Sequence, residues 1–368
     1  MAHEMTMTDN AYYHGTPAWH RLGIVLPDAV TPTQALPLIG AEWGVRQVPI
    51  YAEIQAPSPE MMKQWLERNP ELEVVGSNVV RIKVADRVMN VREDTAQELG
   101  LVTEDCYKVF TNLEVAEFCE QLLELGEDGL TRVRCESVGT IRGGKKIWFL
   151  LKGEEFQIAN GDGVVPYVLC SNGHDRKTSF KVTPTTIRVV CSNTLHMVIP
   201  DDEARAGVDR AAITIAHTGD LKGKVEEAKR ALKEYDFALQ MTKTRMEQLA
   251  KVEVSKERLG QFFVELYNQD FRPVDAEPEG KKMERRLLKC KEAMRTFQDH
   301  FDRDEERAGA SWWNAMNAYT EYCQHDTKGK GKDDLGRVER RLQSNLFGLA
   351  ANRTMKAFAT ALEMSQGG

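Results

Sequence analysis

The chain has 368 residues, 42% hydrophobic and 29% charged, the proportions of a folded protein long enough for two or three cores. No stretch approaches the length of apolar run that spans a bilayer, and the polar N-terminus lacks the apolar segment of a secretory signal. Together these predict a cytoplasmic protein without a membrane partner. The net charge of −7 conceals an asymmetry: residues 1–130 carry nine Lys/Arg against twenty-one Asp/Glu, whereas residues 131–200 carry ten against five. Only the middle segment offers a polyanion a positive field.

In chain order, residues 12–23 mix aromatics, Gly and Pro, as in a loop pinned by large side chains. Thr31-Pro32 reads as a helix start. Val45 to Ile54 and Val84 to Val91 read as strands, with a short helix between Pro57 and Pro70. Thr111-Asn112 opens an amphipathic helix whose Val115, Phe118, Cys119, Leu122 and Leu123 share a face.

A meander follows. Thr131 to Ile141 and Lys145 to Leu151 are strands joined by Arg142-Gly143-Gly144, a strong hairpin signal. Val164 to Ser171 is a third strand, Asn172 to Asp175 a turn, and Thr178 to Val190 a fourth strand. Pro184 lacks a ladder donor, so that strand is expected to bulge or lie at an edge there. Ser192 or Asn193 is expected to cap a helix starting at Thr194.

Beyond residue 205 the pattern turns helical. Leu221, Val225, Ala228, Leu232, Tyr235, Leu239, Thr242, Met246 and Leu249 form a heptad seam, suited to self-association through 221–249 or to packing within the chain. Ser255 caps a helix with Leu259, Phe262, Phe263, Leu266 and Tyr267 on one side. Helices follow over 281–300 and 311–324, and the last, 335–364, is expected to break at Gly348. The predicted fold is α+β. An antiparallel β-meander domain with flanking helices precedes an all-helical C-terminal region with a heptad-patterned long helix. The expected divisions are 1–130, an acidic α/β region; 131–204, a basic β-meander closing on a short helix and forming one unit with 1–130; and 205–368, helical.

No set of residues demands catalysis, a metal or a cofactor. The seven cysteines include no Cys-x-x-Cys pair and read as buried hydrophobes. Cys191 and His196 lie five positions apart and do not face each other on a helix. His14, His20 and His174 have no ligand spacing. Asp175 fits an Asx turn. Gly161-Asp162-Gly163 does not join a strand to a helix with a following Lys-Ser/Thr, so it is no phosphate loop.

The basic constellation is stronger. Arg132, Arg134, Arg142, Lys145 and Lys146 lie on one hairpin, and Arg176, Lys177, Lys181 and Arg188 on the next. Trp148, Phe149, Tyr167 and Phe180 are interleaved with them. Such a sheet is a platform for single-stranded nucleic acid, through phosphate contacts and stacked bases. It is also what a sheet with buried aromatics and solvated cations would look like.

Several segments resemble one family: residues 19–23, Val91 to Val102, Tyr107 to Asn112, Ser171 to Asp175, Thr183 to Leu195, and 317–322 with 345–348. The sequence is similar to the phage/plasmid-like proteins that carry domain of unknown function 932. The resemblance implies residence on phages and plasmids, near recombination or anti-restriction genes, and supplies no active site. The strand order followed by a helix is also similar to that of single-strand annealing proteins. The expectation is a non-enzymatic mobile-element protein that binds single-stranded DNA in recombination or annealing. The alternatives are an acidic interaction or DNA-mimic module facing a host defence protein, and an enzyme of unrecognised type.

Overall fold

The structure, a computed structural model, describes residues 11–14, 24–26, 30–124, 134–158, 161–188, 194–196, 213–218, 223, 239–271, 280–327, 337, 340–341, 344–346 and 348–367. The N-terminal elements are β1 (Ala11–His14), β2 (Ile24–Leu26), α1 (Pro32–Leu38), β3 (Val45–Gln55), α2 (Pro59–Arg68), β4 (Glu73–Gly76), β5 (Val79–Arg92), β6 (Glu98–Thr103) and α3 (Asn112–Glu124). Thr31 caps α1 in a reciprocal capping box with Gln34, as its position ahead of Pro32 predicts.

The meander comprises β7 (Arg134–Ile141), β8 (Lys146–Lys152), β10 (Asp162–Gly173) and β11 (Phe180–Arg188), with the short β9 (Phe156–Ile158) added to β10. All four pair antiparallel with their sequence neighbours. They form the middle of a nine-stranded sheet ordered β12 (Thr194–His196), β11, β10, β8, β7, β1 and β2, so β1 ties the N-terminal region into the meander. β3, β5, β4 and β6 make a separate antiparallel sheet.

Both faces of the large sheet are covered, which is why its strands read as nearly continuous apolar runs rather than alternating ones. Cys135, Val138, Ile147, Phe149, Leu151, Val168, Cys170, Phe180 and Val182 face α1 and α3. Phe118 of α3 meets Phe180 edge-on, with ring centroids 4.9 Å apart. Ile141, Trp148, Leu150, Tyr167, Leu169 and Ile187 pack on the other face with Leu346. Each large apolar side chain buried in this way contributes roughly 1.5–3 kcal/mol.

Two expectations about β11 resolve differently. Its outer edge pairs with β12 (Thr194–His196) opposite residues 185–187 and with β13 (Ile213–Ile215) opposite 180–182. Pro184 falls in the gap between them and costs no ladder bond there, so the edge explanation holds and the register with β10 stays unbroken. The helix expected from Thr194, and with it the meander closing on a short helix, is not what forms: 194–196 is a strand. The backbone groups of Thr185 to Ile187 at the sheet edge need partners, and a returning strand supplies them, overriding the capping signal of Ser192 and Asn193.

The C-terminal region is helical: α4 (helical from 239 to 251), α5 (Lys256–Asp270), α6 (Lys281–Ala308), α7 (Trp312–Glu321) running into a π turn (Tyr322–Asp326), and α8 (Leu349–Gln366). Ser255 accepts from Arg258 N as the cap of α5, whose five predicted core residues are all buried. Gly348 starts α8, the break its glycine predicted. Within the described half of the heptad seam, Leu239, Thr242, Met246 and Leu249 are buried against the chain itself, and most of the first half lies outside the described residues. Phe262, Phe263, Phe297, Trp312, Trp313 and Tyr319 form the helical core, which also takes in Ile158 and Val164 from the sheet.

Candidate nucleic-acid interface

The two meander hairpins turn at the same end of the sheet. Arg142, Gly143 and Gly144 all have positive φ, at 58°, 67° and 84°. Glycine is required at 144, where a Cβ would lie 2.7 Å from the Trp43 ring. Beside this turn, His174 N donates to Lys145 O at 2.9 Å. Asp175 Oδ1 accepts from Lys177 N at 3.0 Å, the Asx-type bond expected of it, while its Oδ2 faces Arg142 Nη1 at 3.3 Å.

This arrangement brings six of the nine predicted cations to one end of the sheet. Arg142, Arg176 and Lys177 are exposed, Lys145 and Lys181 half-buried and Lys146 buried. Lys145 pairs with Glu98 at 3.0 Å. Burial, then the neighbouring Lys181, pulls the Lys146 ammonium down to about 7. Lys177 sits in the turn rather than on the strand of Lys181, so the two do not share a strand face. Arg134 is exposed at the opposite end of β7, and Arg132 lies outside the described residues. The aromatics do not form a platform. Trp148, Phe149, Tyr167 and Phe180 are each at most 3% exposed, because burying rings on both sheet faces outweighs presenting them to solvent.

Behind the tips lies a polar scaffold. Asn112 Nδ2 donates to Ala41 O, leaving its Oδ1 to accept from His174 Nε2 at 3.0 Å. Asn90 Nδ2 donates to His174 O at 2.8 Å, Asn172 Nδ2 to Phe110 O at 2.9 Å, and Tyr107 OH to Gly173 O at 3.0 Å. His174 is fully buried, and burial, then the nearby His217, drives its pKa down to about 3. It is held neutral within the scaffold. Among the described residues no group of three or more His, Cys, Asp or Glu is arranged to hold a metal. His20 and Cys191 lie outside the described residues.

Arg188 belongs elsewhere. It is 2% exposed at the far end of β11, and its Nε donates to both oxygens of Asp162, at 2.9 and 2.8 Å. Its Nη1 donates to Asp304 Oδ2 at 2.7 Å, and Trp313 Nε1 donates to Asp162 Oδ2 at 2.6 Å. Arg303 continues the chain of charges from Asp304 at 3.2 Å to Glu321 at 2.6 Å. A cavity of about 10 Å³ beside Arg188, lined also by Thr186, Asn317, Thr320 and Thr354, is at the lower limit for one water molecule. Arg188 is therefore held inside the protein and, contrary to the sequence expectation, is not on a face that a nucleic-acid phosphate reaches. Sequence reasoning missed Asp162 and Asp304. An acid between two glycines at the head of an apolar strand was the available signal for the first.

The sequence matches the family described as domain of unknown function (DUF932) over residues 98–347. The chain belongs to this family. The DUF932 match covers the meander, the hairpin tips and the helices as far as the start of α8, so Asn112, His174, Asp162, Arg188 and Asp304 fall inside it, while Asn90 and Thr354 lie outside. No curated protein and no solved structure matches the chain. No described helix is long and apolar enough to cross a membrane.

Proposed function

We propose that this DUF932 chain is a non-enzymatic protein that binds single-stranded DNA through its phosphates, at the end of the sheet where the two hairpin tips meet. The observation that supports it is the convergence of Arg142, Lys145, Arg176, Lys177 and Lys181 on that end, with Lys146 buried behind them. With the rings buried, the contact is electrostatic and leaves bases uncovered. That suits a protein that holds a strand for pairing in recombination or annealing on a mobile element. The four-strands-then-helix order of single-strand annealing proteins does not support this reading, since β12 is the next described element after the fourth meander strand.

Fluorescence anisotropy of a labelled oligothymidine tests it. The reading expects binding at low salt that weakens steeply as salt rises, and a loss of about tenfold or more in Arg176→Glu/Lys177→Glu, whose side chains are exposed. Salt-independent affinity, or a charge-reversed tip that binds like the wild type, rejects it. The acidic 1–130 region leaves a host-protein decoy as the second reading, favoured if the wild type binds no DNA at low salt.

A further inference from the structure

α6 is the longest described helix, and its charges run against its own stability. From Cys290 onward it buries Cys290, Ala293, Phe297, Phe301, Asp304 and Ala308, but residues 281–289 contain no fully buried side chain. Those nine positions hold Lys281, Lys282, Arg285, Arg286 and Lys289 against a single acid, Glu284. Four of the five cations are exposed and Arg286 is half-buried. Among the described residues, none of the five is ion-paired.

The helical spacing makes a stripe of them. Lys281, Arg285 and Lys289 follow at i, i+4 and i+8, with Lys282 and Arg286 alongside. Each step of four residues rises about 6 Å, close to the spacing of phosphates along an extended strand. For the helix itself the pattern is unfavourable. Like charges four apart repel, and cations crowd the positive end of the macrodipole. Gly280 offers no side-chain cap to offset this. The distal part of α6, residues 296–308, carries five acids against two Lys/Arg, so the whole helix is polarised against its dipole. A local sequence that opposes its own element marks a surface shaped by something other than stability.

We infer that the Lys281, Lys282, Arg285, Arg286 and Lys289 stripe is a second nucleic-acid surface, which tracks the phosphate backbone of single-stranded DNA. This rests on the DNA-binding reading above but uses different residues. A lipid surface fits less well. The apolar side of α6 is committed to the protein core from Cys290, and the basic end offers only the exposed Leu288 and the half-buried Met283 and Leu287 for insertion.

The test uses the full chain, labelled oligothymidine over a salt series, and the variant Lys281→Glu/Arg285→Glu/Lys289→Glu. A matching Gln variant guards against misfolding. Three lost phosphate contacts predict a salt slope shallower by about 2 and affinity down by about tenfold or more, with thermal stability equal to or above wild type. If both variants keep the wild-type slope and affinity while the Arg176→Glu/Lys177→Glu tip loses binding, the stripe is overturned and the hairpin-tip reading stands. If the stripe variants lose binding and the tip variant does not, the reverse holds. Binding of the wild type to phosphatidylserine vesicles without binding to DNA overturns the stripe as a nucleic-acid surface.

Discussion

Asp304, in the last third of α6, reaches Arg188 at the end of β11, with 2.7 Å between Oδ2 and Nη1 across 116 positions of sequence. This contact and the Trp313 to Asp162 bond lock the helical region onto the sheet. Cutting Arg188 back to Met strands two buried carboxylates, so stability should fall by about 3–5 kcal/mol. Denaturant unfolding measures it. Asp304→Asn should cost less in that background than in the wild type, because the two share one interaction. Equal costs in both backgrounds would mean that the pair is not coupled.

A second prediction concerns pH. His174 is kept neutral by burial, so its folded pKa, about 3, lies below the ordinary value of about 6.5. Between those values the unfolded chain binds a proton that the folded chain refuses. Stability should therefore decline as pH falls from about 6.5 toward 3. NMR should show no titration of the His174 ring between about pH 5 and 8. Asn112→Ala, which removes the acceptor of its Nε2 proton, should cost about 1–3 kcal/mol.

Lys146 follows the same sign in a higher pH window. Its folded value, about 7, is depressed, first by burial and then by Lys181, so the unfolded chain holds more protons from about pH 7 up to about 10.5. Stability should rise through that window as the penalty for the buried charge disappears. Lys146→Met should raise the Tm at pH 6 by the equivalent of at least ~1 kcal/mol, since one pKa unit is worth about 1.4 kcal/mol. The gain should shrink by pH 10. A gain independent of pH would assign the effect to packing alone.

Gly100 on β6 lies under the second hairpin tip. A Cβ there would stand 2.5 Å from the Asp175 Cα, a backbone atom that cannot step aside. Gly100→Ala should destabilise by about 1–3 kcal/mol and weaken DNA binding by displacing the tip. An unchanged melting curve would show that the two sheets are not locked together at this point.

What the sequence disclosed, and what it withheld, follows the range of each signal. Caps and glycine turns are local, so Thr31, Ser255, Gly348 and the Arg142 to Gly144 turn were legible. The apolar runs of β8 and β10 showed strands but not which face was open, because both faces are buried and alternation vanishes. The residues after Ser192 carried a helix-start signal that the unpaired edge of β11 outweighed. Lys/Arg side chains were visible as charges, yet the acids that bury Arg188 come from positions 162 and 304, beyond the reach of any pattern. Residues 201–368 as a block carry thirty Lys/Arg and thirty Asp/Glu, a balance that averages the basic start of α6 against its acidic end and hides both.

The most direct measurement of the central claim is the affinity of the intact chain for labelled oligothymidine at about 50 and about 200 mM salt, beside the Arg176→Glu/Lys177→Glu variant. The account predicts binding at the lower salt, a large loss at the higher, and at least about tenfold weaker binding by the variant at low salt. No binding at low salt, or a variant indistinguishable from the wild type, would contradict it.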